Sequence, residues 1–518
     1  MKKSKLLSIL LVTSMTLTSI VAGCSKKSPE TPGTSSKESV NLKEVKLVGY
    51  LPGDPDKDQA SIDSELNKLT KKDINATVEI KWISWSDWAQ KYPLVLSSGE
   101  DFDFAYVANW ANFSGLAQKH AFMDITNLLA KDTPEILKKS DKDAWKSARV
   151  QGKIYSIPSD GKLVPDTFGL IYREDLRIKY NVPEFNKLED FEAYMEAVKK
   201  NEKNIKPVSL NAIDNNYLFG MNLFEKLGYT SEGVSGVKNI GYKLEDSSSK
   251  LLTTTEMPEY KDTVNLMVKW QKAGYWSTAD MIGKTKSSDL FKQGKVAMFY
   301  GNGGNLEITT DSVKKDHPDW KLSLYVSKDS KGNVTKHDAL SNGVAVGANS
   351  KNPDRTLMLM DKVLINKDYA MLMCYGIKDK HYVLDDKGHA QYLNGISAEK
   401  ADAKFWNNPF SWFIYDKATS INQEITDASK IQIGLDKIKK APGLLGMNID
   451  TLNIKAEIAN MDDVSMQYEL PVQFGIIRKS VDEDLAELND NYKKAGLVKV
   501  TKEVQTQVDQ FKKENNIK

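Results

Sequence analysis

Short apolar runs alternate with amphipathic helical segments along much of this 518-residue chain, and this alternation restricts the fold more than any other feature. Residues 45–50 and 77–83 have the composition of β-strands, and residues 61–70 between them have helical spacing. A third apolar run, residues 102–107, follows a Gly-Glu-Asp turn. Strands that alternate with helices are typical of a parallel sheet covered on both faces. We therefore predict an α/β fold.

The same alternation returns further along the chain, after a Pro- and Gly-containing stretch at 158–165 that is a candidate hinge. The last third, from about residue 392, mixes apolar and polar segments and ends in two helices. In the final helix Val504, Val508 and Phe511 fall on one face, which predicts a docking helix. We expect strands at 152–158, 168–172, 295–300, 322–326 and 343–347, and helices at 188–200, 217–227, 260–272, 353–365, 482–495 and 500–514.

The N-terminal segment has the pattern of an export signal. Three lysines precede the uncharged run Leu6–Gly23, and the run ends in Val-Ala-Gly followed by Cys24. This ending resembles a bacterial lipobox, so residues 1–23 are expected to be a lipoprotein signal peptide and Cys24 to carry the lipid. An uncleaved transmembrane anchor is the alternative, and the six Ser and Thr residues in the run count against it. Residues 24–44 are polar and Pro-containing, which predicts a flexible tether.

The charge balance and the cysteine count restrict the function classes. The chain has 72 Lys and Arg against 70 Asp and Glu, and the two signs are interspersed. We therefore predict no nucleic-acid surface. Beyond Cys24 the only cysteine is Cys374, so the exported chain is expected to have no internal disulfide. Cys374 lies in an apolar run and is predicted to be a small core residue.

Four motifs, in order along the chain, carry a family resemblance. They are LSSGEDFD at 96–103, GKIYSIP at 152–158, LIYREDL at 170–176 and FKQGKVAM at 291–298. From residue 45 to the C-terminus the chain resembles the extracellular solute-binding proteins, family 1, that serve ABC importers of sugars. Phe102 stands where the family usually has Pro, which should alter only the entry into that strand. Residues 443–464 and 491–511 are similar to the LplA-type lipoprotein subfamily.

This resemblance implies a two-lobed α/β fold of the type II periplasmic-binding-protein kind, with a hinge and an interlobe ligand cleft that closes. It places lobe one at 45–163 with 343–390, lobe two at 164–342, and a C-terminal helical region that completes the lobes at 391–518. It also implies a carbohydrate ligand, ABC transporter permease subunits as partners, and a location on the extracellular face of the cell membrane through the lipid at Cys24. We expect a monomer without a cofactor.

The loops that follow the predicted strands contain the candidate ligand-binding residues. In open α/β sheets, ligands lie beyond the carboxyl ends of the strands, and here those loops repeat Trp, Asn and Asp. A sugar needs aromatic planes for its C–H face and fixed amides or carboxylates for its hydroxyls. Trp110 is the strongest candidate, with loop packing as its alternative, whereas Trp82 and Trp88 are expected in the core. The predicted ligand-binding residues are Asp54, Trp85, Asn109, Trp110, Tyr217, Asn302 and Asn305.

An acidic cluster, Asp54, Asp56 and Asp58 with Glu65, approaches the spacing of a calcium loop. Gln59 replaces the glycine that such a loop requires at its sixth position, and a proline interrupts the run. Acidic residues before a helix also favour its N-terminal dipole. We therefore predict a helix start here and no metal site.

Enzymatic motifs are absent from the sequence. It contains no His-Glu-x-x-His, no Gly-x-Ser-x-Gly and no Walker A motif, so no catalytic residues are predicted. Two alternatives to a sugar receptor stay open. One is a binding protein for a peptide or other polar solute, and the other is a surface glycoside hydrolase, because its carboxylate pair has no sequence signature among 70 acidic residues.

Overall fold

Two separate β-sheets organise the chain in the computed structural model, which describes residues 42–517 apart from 143, 160–166, 211–227, 238, 315 and 416–426. Residues 43–518 form one compact unit. The strands are β1 Val45–Pro52, β2 Ala76–Ile83, β3 Phe104–Val107, β4 Arg149–Val150, β5 Lys153–Ile154, β6 Ile157–Pro158, β7 Phe168–Arg173, β8 Tyr229–Thr230, β9 Ile240–Lys243, β10 Leu252–Thr253, β11 Met298–Asn302, β12 Leu322–Tyr325, β13 Val334–Thr335, β14 Gly343–Val346, β15 Tyr382–Leu384, β16 Ala390–Tyr392 and β17 Lys439–Lys440.

The helices pack on the faces of these sheets and form the C-terminal region. They are α1 Gln59–Ile74, α2 Trp85–Ser97, α3 Phe113–Gln118, α4 Leu129–Asp132, α5 Pro134–Lys139, α6 Ala144–Ser147, α7 Glu174–Lys179, α8 Phe191–Asn201, α9 Tyr260–Lys272, α10 Thr278–Met281, α11 Ser287–Lys292, α12 Gly303–Val313, α13 Pro353–Ile365, α14 Lys367–Tyr375, α15 Asp427–Asp436, α16 Lys455–Val464, α17 Leu470–Gln473, α18 Val481–Ala495 and α19 Leu497–Glu514. Within the described ranges, none of these is long and apolar enough to span a bilayer.

The first sheet has the strand order β2-β1-β3-β14-β6. β1 runs parallel to β2 and β3, as the sequence predicts, but β14 is antiparallel to both β3 and β6. The sheet is therefore mixed, with the expected parallel arrangement confined to β1, β2 and β3. β14 follows the second sheet in the chain and enters the first sheet from there, so no helix between neighbouring strands fixes its direction. At the centre, a Cβ on Gly49 would lie 2.1 Å from the Phe104 ring, so β1 and β3 approach closely because residue 49 has no side chain.

The second sheet has the order β11-β7-β12, with β7 antiparallel to both neighbours. Its two faces bury separate apolar clusters. One contains Phe191 and Tyr194 of α8 with Trp270 of α9, and the other contains Phe291 and Leu306. Asn302 and Arg173 lie at opposite ends of this sheet, since Asn302 pairs with Phe168 and Arg173 with Leu322.

Successive segments of the C-terminal region pack in different hydrophobic cores. Residues 410–415 belong to the core of the first sheet, and residues 470–474 to the core that contains α8 and α9. Residues 444–461 and 488–508 form a core with residues 234–251. The final helix buries Val504 and Val508 fully and packs Phe511 against the same core, as its spacing predicts.

A buried acid fixes this C-terminal core to the chain before it. Glu469 lies in a π-helical turn between α16 and α17 and is fully buried. Its carboxylate accepts hydrogen bonds from the hydroxyls of Thr254, Tyr260 and Tyr492. Burial raises the pKa of Glu469, and these hydroxyl donors oppose that rise.

The core predictions for single residues have mixed outcomes. Cys374 is buried in α14 with 1% exposure, and Trp88 is buried at 7%, as expected. Trp82 is only half-buried, so its assignment to the core is wrong. It lies on β2, an edge strand of the first sheet, which pairs on one side with no strand of the described part of the chain.

Candidate ligand-binding site

Three tryptophans meet at the carboxyl end of the parallel strands of the first sheet. Trp85 stacks nearly parallel to Trp412, with ring centroids 6.0 Å apart and planes 17° apart. Trp85 also lies 6.1 Å from Trp110 between centroids. Trp85 and Trp110 remain 43% and 49% exposed, although large aromatic side chains are usually well buried. We call Trp85, Trp110 and Trp412 the indole cluster.

Trp110 is held by the loop that follows β3. The strand ends at Val107, and a 3₁₀ turn at Asn109–Ala111 carries the indole out of the sheet. The Asn109 side-chain oxygen accepts a hydrogen bond from the Trp110 backbone N–H at 2.7 Å. Asn112 closes the turn with φ of 58°, a left-handed conformation that Asn tolerates. The indole N–H of Trp110 donates to the Ser341 carbonyl at 2.9 Å, just before β14. The loop thereby fixes the ring edge, while the residue as a whole stays 49% exposed.

Trp85 is placed by the start of α2. Ser84 is the N-cap residue, and its side-chain oxygen accepts a hydrogen bond from the Asp87 backbone N–H. Gly53, just after β1, lies beside this indole, because a Cβ at Gly53 would be 3.9 Å from its Nε1 atom. The loops after β1, β2 and β3 therefore converge, as expected for adjacent parallel strands.

Trp412 was not among the predicted site residues. It lies in the 3₁₀ turn Pro409–Phe413, capped by the side chain of Asn408, and its indole N–H donates to the Trp406 carbonyl at 2.9 Å. A signal for it exists in the sequence, since FWNNPFSWF at 405–413 repeats the Trp and Asn composition of the loop after β3. Its position beside Trp85 depends on long-range packing.

Tyr106 forms the floor of the indole cluster. Its ring lies 6.2 Å from those of both Trp110 and Trp412, and it is 1% exposed. The hydroxyl donates to the Asn342 side-chain oxygen at 2.7 Å, and burial raises the pKa of Tyr106, so the phenol stays neutral. The indole cluster thus rests on a fixed, uncharged base.

Neighbouring side chains form hydrogen bonds and an ion pair with the acidic loop after β1. Asn407 donates its side-chain N–H to the Asp54 carbonyl at 3.2 Å and to the Asp56 carboxylate at 3.0 Å. Asp58 accepts hydrogen bonds from His381 and Ser61 and pairs with Lys380, and these donors lower its pKa. Burial raises the pKa of Asp56. Among the described residues no group of His, Cys, Asp and Glu could hold a metal ion.

Asn302 and Asn305 lie at the end of the second sheet, where β11 leads into α12. They cap the helix reciprocally. The Asn302 side-chain oxygen accepts from the Asn305 backbone N–H at 2.9 Å, and the Asn305 side-chain oxygen accepts from the Asn302 backbone N–H at 3.0 Å. Their amide oxygens therefore have a structural role that the sequence reading did not assign.

Two further predicted residues fall outside the described part of the chain. Tyr217 lies within 211–227, and Cys24 precedes residue 42. Most of the hinge candidate at 158–165 is also outside it. A cavity of about 360 Å³ opens at the opposite end of β3 from Trp110, beside Phe102 and Lys119, and contains no tryptophan.

Comparison with known proteins identifies the family. Residues 66–378, more than half of the chain, match the model of the bacterial extracellular solute-binding proteins. The chain belongs to this family. A second model, described as a domain of unknown function, matches residues 443–513. The resemblance inferred from the sequence motifs is confirmed, and the family consists of extracellular transport proteins that bind solutes rather than enzymes.

Two curated relatives are similar over most of their length. A carbohydrate ABC transporter substrate-binding protein from Streptococcus pneumoniae serotype 4 is 22% identical over 492 residues, which is 93% of this chain and 94% of the relative. The polygalacturonan/rhamnogalacturonan-binding protein YtcQ from Bacillus subtilis is 24% identical over 427 residues, 79% of this chain and 80% of the relative.

Solved structures share the fold. The N-glycan transport solute-binding protein NgtS from Streptococcus pneumoniae, in complex with Man1GlcNAc, has a TM-score of 0.72 at 20% identity, covering 91% of this chain and all of that one. The alginate-binding protein AlgQ2 has a TM-score of 0.63 at 19% identity, with the same coverage. The predicted fold class, a two-lobed α/β solute-binding protein, is confirmed.

Proposed function

We propose that this solute-binding protein captures an oligosaccharide between its lobes and delivers it to an ABC permease. The indole cluster is the observation that carries this proposal. Two partly exposed indoles, held at the sheet edge where α/β proteins bind ligands, supply apolar planes for the C–H face of a sugar ring. The names of the relatives, which are carbohydrate- and glycan-binding proteins, support the same ligand class.

The second lobe is proposed to supply polar contacts to the same ligand. Asn302 and Asn305 lie at the end of β11, where the N-terminus of α12 also presents backbone N–H groups. With their oxygens occupied by capping, their amide nitrogens are the donors that we assign to sugar hydroxyls. Tyr217 remains a proposed contact. Asn109 acts by holding the loop of Trp110, and Asp54 is a proposed hydroxyl acceptor.

We propose that lobe one comprises 45–163 with 343–390 and lobe two 164–342, with the C-terminal region divided between them. Residues 391–415 extend lobe one, since their aromatic side chains pack in its core. Residues 443–513 extend lobe two and reach lobe one through Asn448, whose side chain donates to the Ser147 and Arg149 carbonyls.

Anchoring to the extracellular face of the membrane is proposed to occur through a lipid on Cys24. The Val-Ala-Gly-Cys ending and the polar stretch 24–44 support it. Because the compact unit begins at residue 43, the intervening chain is long enough to let the binding lobes move near a membrane-embedded permease.

The proposal is tested with the purified chain from residue 25 onward. A thermal-shift screen against plant, bacterial and host-type oligosaccharides should find glycans that raise the Tm, and chromatography after prolonged incubation should recover each ligand intact. A rise in Tm with peptides, without a rise with any glycan, would favour a peptide receptor. Cleavage products would favour a glycoside hydrolase.

A further inference from the structure

We propose that Asp338 is a positioning residue for the movement of the lobes. The chain bends at Asp338 when the lobes open or close, and the Asp338 carboxylate binds the two sides of this bend to each other. The inference rests on the lobe division proposed above and does not depend on which solute binds. It concerns the crossing at 334–343, where the chain passes from lobe two to β14 of lobe one and every residue is described.

Residues before the bend are bound to lobe two. β13 pairs with β17, and Val334 is 1% exposed in one of the two cores of the second sheet. The Nδ1 atom of His337 lies 2.7 Å from the Glu232 carboxylate, and the Asp338 backbone N–H donates to the same carboxylate at 3.2 Å. The chain up to the backbone N–H of residue 338 is therefore attached to the second lobe.

Residues after the bend are bound to lobe one. The Ala339 carbonyl accepts a hydrogen bond from the Ser159 hydroxyl at 2.7 Å, and Leu340 is fully buried in the core of the first sheet. The partners of the crossing therefore change between Asp338 and Ala339. Because the residues on the two sides are attached to different lobes, the backbone dihedrals at this point have to absorb a relative movement of the lobes in this crossing.

The Asp338 carboxylate binds one residue on each side of the bend. Its Oδ1 atom accepts a hydrogen bond from the Leu340 backbone N–H at 2.7 Å, and its Oδ2 atom accepts one from the Gly446 backbone N–H at 3.1 Å. Leu340 belongs to lobe one, whereas Gly446 belongs to the C-terminal region that extends lobe two. Hydrogen bonds to a charged acceptor are about twice as strong as neutral ones, and Asp338 is only 3% exposed, so water has little access to them.

The C-terminal region also touches lobe one beside the bend. Gly446 has a φ of 84°, and a Cβ at this position would lie 2.8 Å from the Lys146 Cβ in α6, so the close approach requires glycine. Asn448 donates to the Ser147 carbonyl at 2.8 Å. Contacts near a rotation axis move least, so lobes that turn about Asp338 keep these contacts in both states.

The same crossing positions the indole cluster. Ser341, three residues after the bend, accepts the hydrogen bond from the Trp110 indole. The next residue, Asn342, accepts the hydrogen bond from the Tyr106 hydroxyl. A bend without its carboxylate would let the indoles shift relative to lobe two. The Asp338 carboxylate thus keeps the two halves of the candidate site aligned.

Distances between pairs of spin labels, measured by double electron–electron resonance in the ligand-free protein, test this inference. Lys138→Cys in α5 and Lys200→Cys in α8 place one exposed label on each lobe. Lys138→Cys with Lys72→Cys in α1 places both labels on lobe one as a reference. In the chain from residue 25 onward Cys374 is the only native cysteine, and it is buried, so it should not react with the label.

Asp338→Asn replaces one of the two acceptor oxygens by a donor and should broaden the interlobe distance distribution about twofold, with the reference distribution unchanged. Asp103→Asn is the matched control. The buried Asp103 carboxylate also accepts a backbone N–H, from Val48, and a hydroxyl hydrogen, from Ser350, but both partners lie within lobe one. This control should give both distributions as in the wild type.

The measurements are made at about pH 7.5, because burial and Glu232 raise the pKa of Asp338 to about 6 against a hydrogen bond from Ser147, and the carboxylate is then ionised. An unchanged interlobe distribution in both Asp338→Asn and Asp338→Ala, in proteins that unfold cooperatively, would overturn the inference. Broadening of the reference distribution as well would also overturn it, since the whole fold would then be loosened. A glycan screen without a ligand would contradict the proposed function and leave this result unaffected.

Discussion

Replacing Trp110 with Ala should weaken carbohydrate binding by about thirtyfold. Trp110 is 49% exposed, so about 100 Å² of its surface is available to a ligand, and a stacked sugar ring would cover roughly half of it. At about 25 cal/mol per Å² this contributes about 1.3 kcal/mol, and the stacking geometry adds about 0.5–1.5 kcal/mol. The sum of about 2 kcal/mol corresponds to the stated factor in Kd.

Calorimetric titration with the tightest ligand from the glycan screen provides the assay, and two variants make it specific. Trp110→Phe keeps an aromatic plane but loses the N–H that donates to the Ser341 carbonyl. It should retain affinity within about fivefold if the ring face carries the interaction. Trp320→Phe is the matched control. This half-buried indole stacks on His317 at the end of the second sheet that lies away from Asn302, so its replacement should leave ligand binding unchanged.

A Trp110→Ala protein that folds normally and binds within threefold of wild type would refute the stacking argument. Equal losses in the Ala and Phe variants would instead assign the effect to the bond with Ser341, which orders the loop before β14.

Three further predictions concern stability and anchoring. Glu469→Ala should lower the free energy of unfolding by about 3 kcal/mol in urea titrations, because three buried hydroxyls lose their acceptor; a loss below 1 kcal/mol would contradict the structural role of this acid. Burial and, secondarily, Glu232 raise the pKa of the fully enclosed Asp338 to about 6, so its contribution to stability is present below about pH 4 and is lost as the pH rises through 6. Asp338→Asn should therefore gain about 3 kcal/mol relative to wild type between pH 4 and pH 7, and a difference independent of pH would refute this. Cys24→Ser should abolish metabolic labelling by a fatty acid and release the protein from membranes; unchanged labelling would show that Cys24 is not the lipid site.

Local sequence pattern predicts most of the individual elements in the described part of the chain. β1, α1 and β2 follow from composition and period alone, and α13 starts at the proline that favours the first helical turn. The direction of β14 was missed, because an antiparallel partner that arrives from another sheet has the same apolar composition as a parallel one. Sequence sets which residues form a strand, whereas the connection sets its direction.

The site was only partly predictable for a related physical reason. Trp85 and Trp110 follow β2 and β3, the two parallel strands on either side of β1, so the fold class alone brings their loops to the same edge of the sheet. Trp412 is brought beside Trp85 by a turn in the C-terminal region, a contact that no local period encodes. Asn302 and Asn305 show the opposite case, in which residues expected to bind a ligand have a structural role. Their spacing suits helix capping as well as ligand binding, so the sequence alone does not separate the two roles.

A crystal structure with a bound oligosaccharide would test the central claim most directly. We predict a sugar ring lying about 4 Å above the ring of Trp85 or Trp110, at van der Waals contact, with the second lobe closed over it. A sugar bound elsewhere, for example in the cavity beside Phe102 and Lys119, with the indole cluster left open to solvent, would contradict it.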